Sequence, residues 1–306
     1  MQRKRDLGLV DRGIAPAPKI SAFVVAYNRA AILGTCLRAL QFADEIIVVD
    51  KASTDDTRAV AERLAARVVA APWSPTVEET RDFALSLCAH DWILFLDDDE
   101  CLSPDAGEFI QGLLAKPQAD VYEFPLRHYI LGVHDEAAYY WPEHHVRLFR
   151  RGSVTFGATV HGGIHVHSDR VMRIQSETGV CIHHLSHPDV AGWIERTNRY
   201  TSRPDRARVV DDGYDLAGFA HARIDHWLTR TTDKTPDGYP AAVALLRATY
   251  DIVDRLKMWE EARGLDGNAL FSQVCAGLDA AKPARTIWGR LKDRWFSRPA
   301  CRRPPG

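Results

Sequence analysis

No run of about 18 or more apolar residues occurs in this 306-residue sequence, so no segment has the makeup of a membrane-spanning helix. The first residues, MQRKRDLGLVDRG, are basic but lack the apolar core of a signal peptide. The six cysteines (Cys36, Cys88, Cys101, Cys181, Cys275 and Cys301) include no C-x-x-C pair, which argues against a disulfide framework or a cysteine zinc site and for a reducing compartment. Net charge is only −2, so the chain is not a polycation and no nucleic-acid partner is expected. No internal repeat is present. These absences predict a cytoplasmic globular protein, long enough for one large domain with an appended part, or for two.

Alternating strands and helices fill the first half. Residues 20–26 (ISAFVVA) form a short, β-branched apolar run of the kind that builds a buried parallel strand. Asn28 is placed to cap the next helix, whose Leu33, Cys36, Leu37 and Leu40 recur at helical spacing. Residues 45–49 (EIIVV) are a second strand closed by Asp50, after which Ser53 or Thr54 is placed to cap a helix with Asp55 and Asp56 near its positive end. A third strand is expected over 67–70, and Thr76-Val77-Glu78-Glu79 fits a capping box. A fourth strand, 92–96 (WILFL), runs straight into Asp97-Asp98-Asp99-Glu100.

This order predicts an α/β fold with a mostly parallel central sheet and helices on both faces. In such sheets ligands bind beyond the carboxyl ends of the strands. Tyr27-Asn28, residues 50–55 and residues 97–100 all fall at that edge. Further strands over 121–125, 146–150, 154–160, 171–175 and 180–184 predict a mixed β extension, and from about 189 the chain reads as mainly helical. The expected divisions are 1–17, a basic extension; 18–188, the α/β domain; 189–281, a helical region; and 282–306, a basic tail.

Four consecutive acids after an apolar strand repel one another and raise one another's pKa unless positive charge lies close by. A hard divalent cation bridging to a diphosphate would supply it. The alternative is an acidic turn that also caps the next helix. The segments VVAYNRA, VVDKASTDDT, ETRDFALS and LFLDDDE, in this order and spacing, resemble family 2 glycosyltransferases with the GT-A fold. The D-x-D motif of that family falls here on Asp97 and Asp99. The resemblance implies that Asp99 coordinates a Mg²⁺ or Mn²⁺ ion bridging the donor diphosphate, while Asp97 or Asp98 holds the ribose or assists the metal. It implies that Ala26, Tyr27, Asn28 and Asp50, with Ser53 in the same loop, meet the base and ribose of a nucleotide sugar, UDP-linked in this reading. Arg81 matches a basic residue that reaches the base or phosphates, although Asp82 stands where an Asn commonly follows.

WPEHHVRLFRRG, Val160-His161, CIHHLSH, NRYTS and RGLDGNAL are similar to the bacterial subgroup that extends lipopolysaccharide cores. That subgroup usually reads V-H-E, whereas His161 is followed here by Gly162. The resemblance also implies a late histidine in the metal shell, for which His184 is the best match.

Inverting transfer needs a carboxylate to deprotonate the acceptor hydroxyl. Glu143 is the candidate base, with Asp135-Glu136 in the same segment; the competing reading makes all three solvated surface acids. Ten of the thirteen histidines lie between His128 and His187, so a zinc site competes with a histidine-lined cleft. Arg147, Arg150 and Arg151 offer a fork to phosphate or lie on a solvated strand edge. Arg196, Asn198, Arg199 and Tyr200 form either a lid over the diphosphate or an exposed helix face.

The tail from Lys282 carries eight Lys or Arg and one acid, with Ile287, Trp288, Leu291 and Trp295 on one helical face. That pattern suits the inner face of an anionic membrane, the alternative being a helix packed on the domain. The expected function is therefore an inverting glycosyltransferase acting on a saccharide or lipid-linked saccharide in cell-envelope or lipopolysaccharide synthesis. The rival readings are a nucleotidyltransferase, a histidine-rich metal-dependent hydrolase and a non-catalytic sugar-nucleotide-binding protein. AYNRA, where a glycine-rich phosphate loop would stand, argues against the first.

Overall fold

In the computed structural model every residue of β1 (Ile20–Ala26) is buried. A strand with no polar face is one covered on both sides. Ala22, Val24 and Ala26 enter one core, while Phe23 and Val25 enter the other. The chain continues through α1 (Ala30–Ala39), β2 (Glu45–Asp50), α2 (Thr57–Arg63), β3 (Arg67–Ala70), α3 (Glu78–Leu87) and β4 (Trp92–Asp97). Strands β3-β2-β1-β4 lie side by side and parallel. Leu33 and Leu37 of α1 pack into the first core and Ala84 of α3 into the second, which puts helices on both faces.

After β4 come β5 (Glu100–Leu102), α4 (Ala106–Ala115), β6 (Val121–Ile130), β7 (Glu143–Arg150), β8 (Val154–Phe156), β9 (Ile164–Val166), β10 (Val171–Arg173) and β11 (Ile182–His187). The sheet has nine strands in the order β3-β2-β1-β4-β7-β6-β11-β5, with β10 also on β6. Strand β7 is antiparallel to β4 and β6, so the sheet is mixed beyond β4. Helices α5 (Val190–Thr201), α6 (Leu216–Arg230), α7 (Tyr239–Ala262) and α8 (Gly267–Ala280) complete the chain. This is the GT-A-like arrangement implied by the sequence: a mixed sheet helical on both sides, with a helical C-terminal region.

A small third core of Ile130, Tyr140, Trp193, Tyr239, Val243 and Leu246 ties α5 and α7 to the end of β6. Packing is therefore continuous across the division expected at 188/189. The structure describes residues 18–64, 67–74, 77–136, 138, 140–157, 163–202, 215–230 and 238–280. The basic extension, Thr76, Val160-His161-Gly162 and the tail from 282 lie outside the described residues. Among the described residues no helix is long and apolar enough to cross a membrane.

Three local expectations are corrected. Asn28 does not cap α1: it takes a left-handed φ of 51° and Arg29 is the cap position. The first N–H groups of that helix are instead satisfied from the β2–α2 loop, Arg29 N donating to Thr57 Oγ1 (2.7 Å) and Ala30 N to Asp55 Oδ2 (3.1 Å). Neither Ser53 nor Thr54 caps α2; Asp55 Oδ1 accepts from Thr57 N (2.9 Å), while Ser53 Oγ accepts from Asn28 N (3.0 Å) and Thr54 N donates to Asn28 Oδ1 (2.8 Å). Strand β8 ends at Phe156, well short of 160. Strand β5, too short to show a period, begins inside the acidic cluster.

Candidate functional site

The β5–β11 pairing builds the site. It sets His184 opposite Glu100, and Leu185 N donates to Asp99 O at 2.8 Å. A histidine 85 positions downstream of Asp99 is thereby placed with its Nε2 3.5 Å from Asp99 Oδ1.

Each acid of the cluster has its own counter-charge. Glu100 is 1% exposed and takes both arms of the Arg147 guanidinium, at 2.7 Å from Nε and 2.6 Å from Nη2. Asp97 accepts from Arg81 Nη2 (2.5 Å) and Arg147 Nη2 (3.4 Å). Burial opposes its ionisation, but the two arginines outweigh it and hold the carboxyl below its ordinary value. Asp98 accepts from Tyr27 N (3.0 Å) and Arg29 Nε (3.1 Å), yet burial, with Asp99 beside it, pushes its carboxyl up to about 6. Asp99 meets Arg196 Nη2 (3.1 Å) and Arg29 Nη2 (3.4 Å) as well as His184. Burial is again opposed, here by His184, Arg196 and Arg29, and the carboxyl lies well below the usual range. His184 is raised in turn: burial works against its protonation, and Asp99 outweighs it.

A cavity of about 310 Å³ opens over this cluster, lined among others by Tyr27, Trp73, Arg81, Asp98, Asp99 and Arg196. Tyr27 and Trp73 present an aromatic pair with ring centroids 6.3 Å apart, and Trp73 is 54% exposed. A larger chamber of about 590 Å³ shares Arg81, Asp97, His184 and His187 with it and extends to His128, Glu143 and His145. There His184 Nδ1 and His128 Nδ1 are 2.8 Å apart, so one donates and the other accepts. His128 Nε2 lies 3.0 Å from Glu143 Oε2, and His145 Nε2 lies 3.2 Å from Glu143 Oε1. Those two hydrogen bonds hold the Glu143 carboxyl well below the usual range. Burial pushes His187 down to about 3, so that ring is neutral. A hollow of comparable size, about 580 Å³, lies at the opposite strand ends beside Lys19, Asp91 and Trp92, far from any such cluster.

Of the residues expected to meet a nucleotide, Tyr27, Arg81, Asp97 and Asp98 line the smaller cavity and Asn28 an adjoining hollow. Ala26, Asp50 and Ser53 do not: Ala26 is core, and Asp50 Oδ1 accepts from Ser53 N (3.1 Å) within the turn beneath. The expected metal set is divided. Asp99 and His184 come together, whereas Asp97 is turned to its two arginines. No group of three His, Cys, Asp or Glu side chains converges on a metal position among the described residues; His161 of the histidine-rich segment lies outside them. Arg147 is not a phosphate fork, because Glu100 uses it. Glu143 faces the larger chamber; Glu136 instead pairs with Arg127 (3.2 Å), and neither it nor Asp135 lines that chamber. Sequence reasoning missed Arg29, Lys51, Trp73 and His128. Of these only Arg29, next to the strand-one motif, carried a readable signal.

The glycosyl transferase family 2 model matches residues 21–168. An uncharacterized glycosyltransferase of Rickettsia felis is 36% identical over 151 residues, covering 48% of this chain and 53% of that protein. A lipopolysaccharide core biosynthesis glycosyltransferase of Rhizobium meliloti is 32% identical over 162 residues, covering 49% and 58%. The chain thus spans about half the length of these relatives. Among solved structures, glucosyl-3-phosphoglycerate synthase from Mycobacterium tuberculosis, in complex with Mn²⁺ and uridine-diphosphate-glucose, is 26% identical with a TM-score of 0.32, covering 36% of this chain and 44% of that one. On the motifs, the sheet order and the match over residues 21–168 together, this chain carries a glycosyl transferase family 2 domain.

Proposed function

We propose that the protein is an inverting glycosyltransferase that moves a sugar from a nucleotide-diphosphate donor, UDP-linked, to a saccharide or lipid-linked saccharide of the cell envelope. The observation that carries this reading is the meeting of Asp98, Asp99 and His184 with Arg29, Arg81 and Arg196 over one cavity at the carboxyl ends of β1 and β4. Acids alone would repel a diphosphate and arginines alone would bind any anion. Both together suit a cation–diphosphate pair.

The donor set fits a divalent ion. Asp99 Oδ1 and His184 Nε2 are 3.5 Å apart, close enough for both to reach one cation. Their number leaves positions for phosphate oxygens and water, as Mg²⁺ and Mn²⁺ sites of this kind require. When bound, such an ion stabilises the charge on the leaving diphosphate. The protein's own part is to hold the nucleotide base against Tyr27 and Trp73, to offer Arg29 and Arg196 to phosphate oxygens, and to keep Asp97 oriented through Arg81 and Arg147. In the larger chamber Glu143 is the proposed base. It is ionised at neutral pH and fixed by His128 and His145, and its chamber shares a wall with the donor cavity. A base on that side would take the acceptor's proton as its oxygen attacks the sugar from the face opposite the diphosphate.

Peripheral contact with the inner membrane face is part of the proposal. Helix α8 presents Leu270, Phe271, Val274 and Leu278 to solvent, all more than half exposed, immediately before the basic tail that starts at 282.

The test is release of nucleoside diphosphate from UDP-, GDP- and dTDP-sugars by the purified full chain, with Mn²⁺ or Mg²⁺ and a cell-envelope saccharide extract. Cation-dependent release from one nucleotide class is expected. No release from any donor contradicts the reading.

A further inference from the structure

The α7 wall of the larger chamber holds a cation with no ionic partner among the described residues. Arg247 lines that chamber and not the donor cavity. Its Nε is buried and has no hydrogen-bond partner, and no carboxylate pairs with it among the described residues. Of the five acids lining the chamber, Asp97, Glu100, Glu123 and Glu143 are committed to Arg81, Arg147, Arg173 and the two histidines, and Glu78 is not paired with Arg247 among the described residues. The Arg247 guanidinium lies over the Trp193 ring, 5.3 Å from its centroid, and His187 packs against the same indole at 4.2 Å. Neighbouring Val243 and Leu246 belong to the small third core, so the helix that presents Arg247 is anchored.

A buried guanidinium nitrogen without an acceptor is costly, because the lost water is not replaced. A planar fork held over an indole is preorganised for the two oxygens of a carboxylate or phosphate. Arg29, Arg81, Arg196 and Arg199 already line the donor cavity, so a diphosphate does not need this one. Arg247 also lies outside residues 21–168, the segment that the family model matches.

We propose that Arg247 is an anion-recognition residue for the acceptor: the saccharide that enters the larger chamber carries a carboxylate or a phosphate, and the Arg247 guanidinium receives it. This rests on the reading of that chamber as the acceptor side of a glycosyltransferase.

The test titrates full-length protein, labelled with ¹⁵N-arginine, with methyl glucoside, methyl glucuronide and glucose 6-phosphate, following the Arg247 Nε–H resonance assigned by its loss in Arg247→Gln. The resonance should move with one or both acidic probes and not with methyl glucoside; whichever acid moves it further identifies the group. Arg247→Gln should bind that probe at least tenfold more weakly, and Arg247→Lys, which keeps the charge but loses the fork, should fall between. A resonance that ignores all three probes, or equal binding of the acidic probe by wild type and Arg247→Gln, overturns the proposal. Stabilisation by nucleotide sugar plus Mn²⁺, measured on the same proteins, reads the transferase assignment separately. It should be equal in wild type and Arg247→Gln, and its absence from wild type would overturn that assignment rather than the anion site.

Discussion

Arg147 is the internal counter-ion of Glu100 and Asp97, and replacing it with Met should show this as a large loss of stability. The side chain is 5% exposed and Glu100 1%, with fork distances of 2.6 and 2.7 Å. Removing one member of such a pair leaves a buried charge without compensation, which costs about 3–5 kcal/mol. Asp97 would keep Arg81 but lose its contact at 3.4 Å. Asp97 N also donates to Glu100 Oε2 at 3.1 Å, so a displaced Glu100 disturbs the backbone of the acidic turn. We expect Arg147→Met to lower unfolding free energy in urea by about 4 kcal/mol, or Tm by about 6 °C for a chain of this length. The double variant Arg147→Met/Glu100→Gln removes both charges and should recover about half of the loss or more, that is, about 2 kcal/mol relative to Arg147→Met. A cost below about 1 kcal/mol for Arg147→Met, or no recovery in the double variant, would refute the reasoning.

Further outcomes follow from the same geometry. Asp98 has a folded-state pKa near 6, above the ordinary 3.8, so the folded chain binds the extra proton between about pH 4 and 6 and the ionised carboxylate costs stability above that window. Asp98→Asn should therefore gain on wild type as pH rises from 4 to 7, by on the order of 3 kcal/mol. Thermal unfolding of both proteins across that range checks it, and a constant difference contradicts it. Glu143→Gln should lower turnover by about 10² to 10⁴ while leaving donor binding unchanged; an unaltered rate removes Glu143 as the base. Full-length chain should float with anionic liposomes, and a version ending at Pro283 should not; equal behaviour refutes the membrane contact.

The donor half of the site was legible because it is local. Each of β1, β2 and β4 is an apolar run ending in the residues of interest, and parallel pairing in register brings those ends to one edge. Helix caps were less legible: Asn28 and Ser53 have cap-type side chains, but the cap of α1 comes from Thr57 and Asp55, a contact between two loops that no local pattern encodes. His128 and His184 were beyond reach as a pair. Their contact depends on β11 pairing with β6, which sets His184 opposite His128, 56 positions apart in sequence. Arg147 read as either a phosphate fork or a solvated strand-edge residue and is neither, because sequence shows charge but not burial. Arg247 gave no signal, since an unpaired guanidinium is defined by what does not approach it.

The central claim is that Asp99 and His184 hold a cation that secures a nucleotide diphosphate. Thermal unfolding of the full chain with UDP-, GDP- and dTDP-sugars, each with and without Mn²⁺, tests it most directly. At about 100 times Kd a bound donor contributes about 2.7 kcal/mol, so one nucleotide class should raise Tm in a Mn²⁺-dependent manner, and Asp99→Ala should abolish the rise. No Mn²⁺-dependent shift with any donor, or an undiminished shift in Asp99→Ala, would contradict the account.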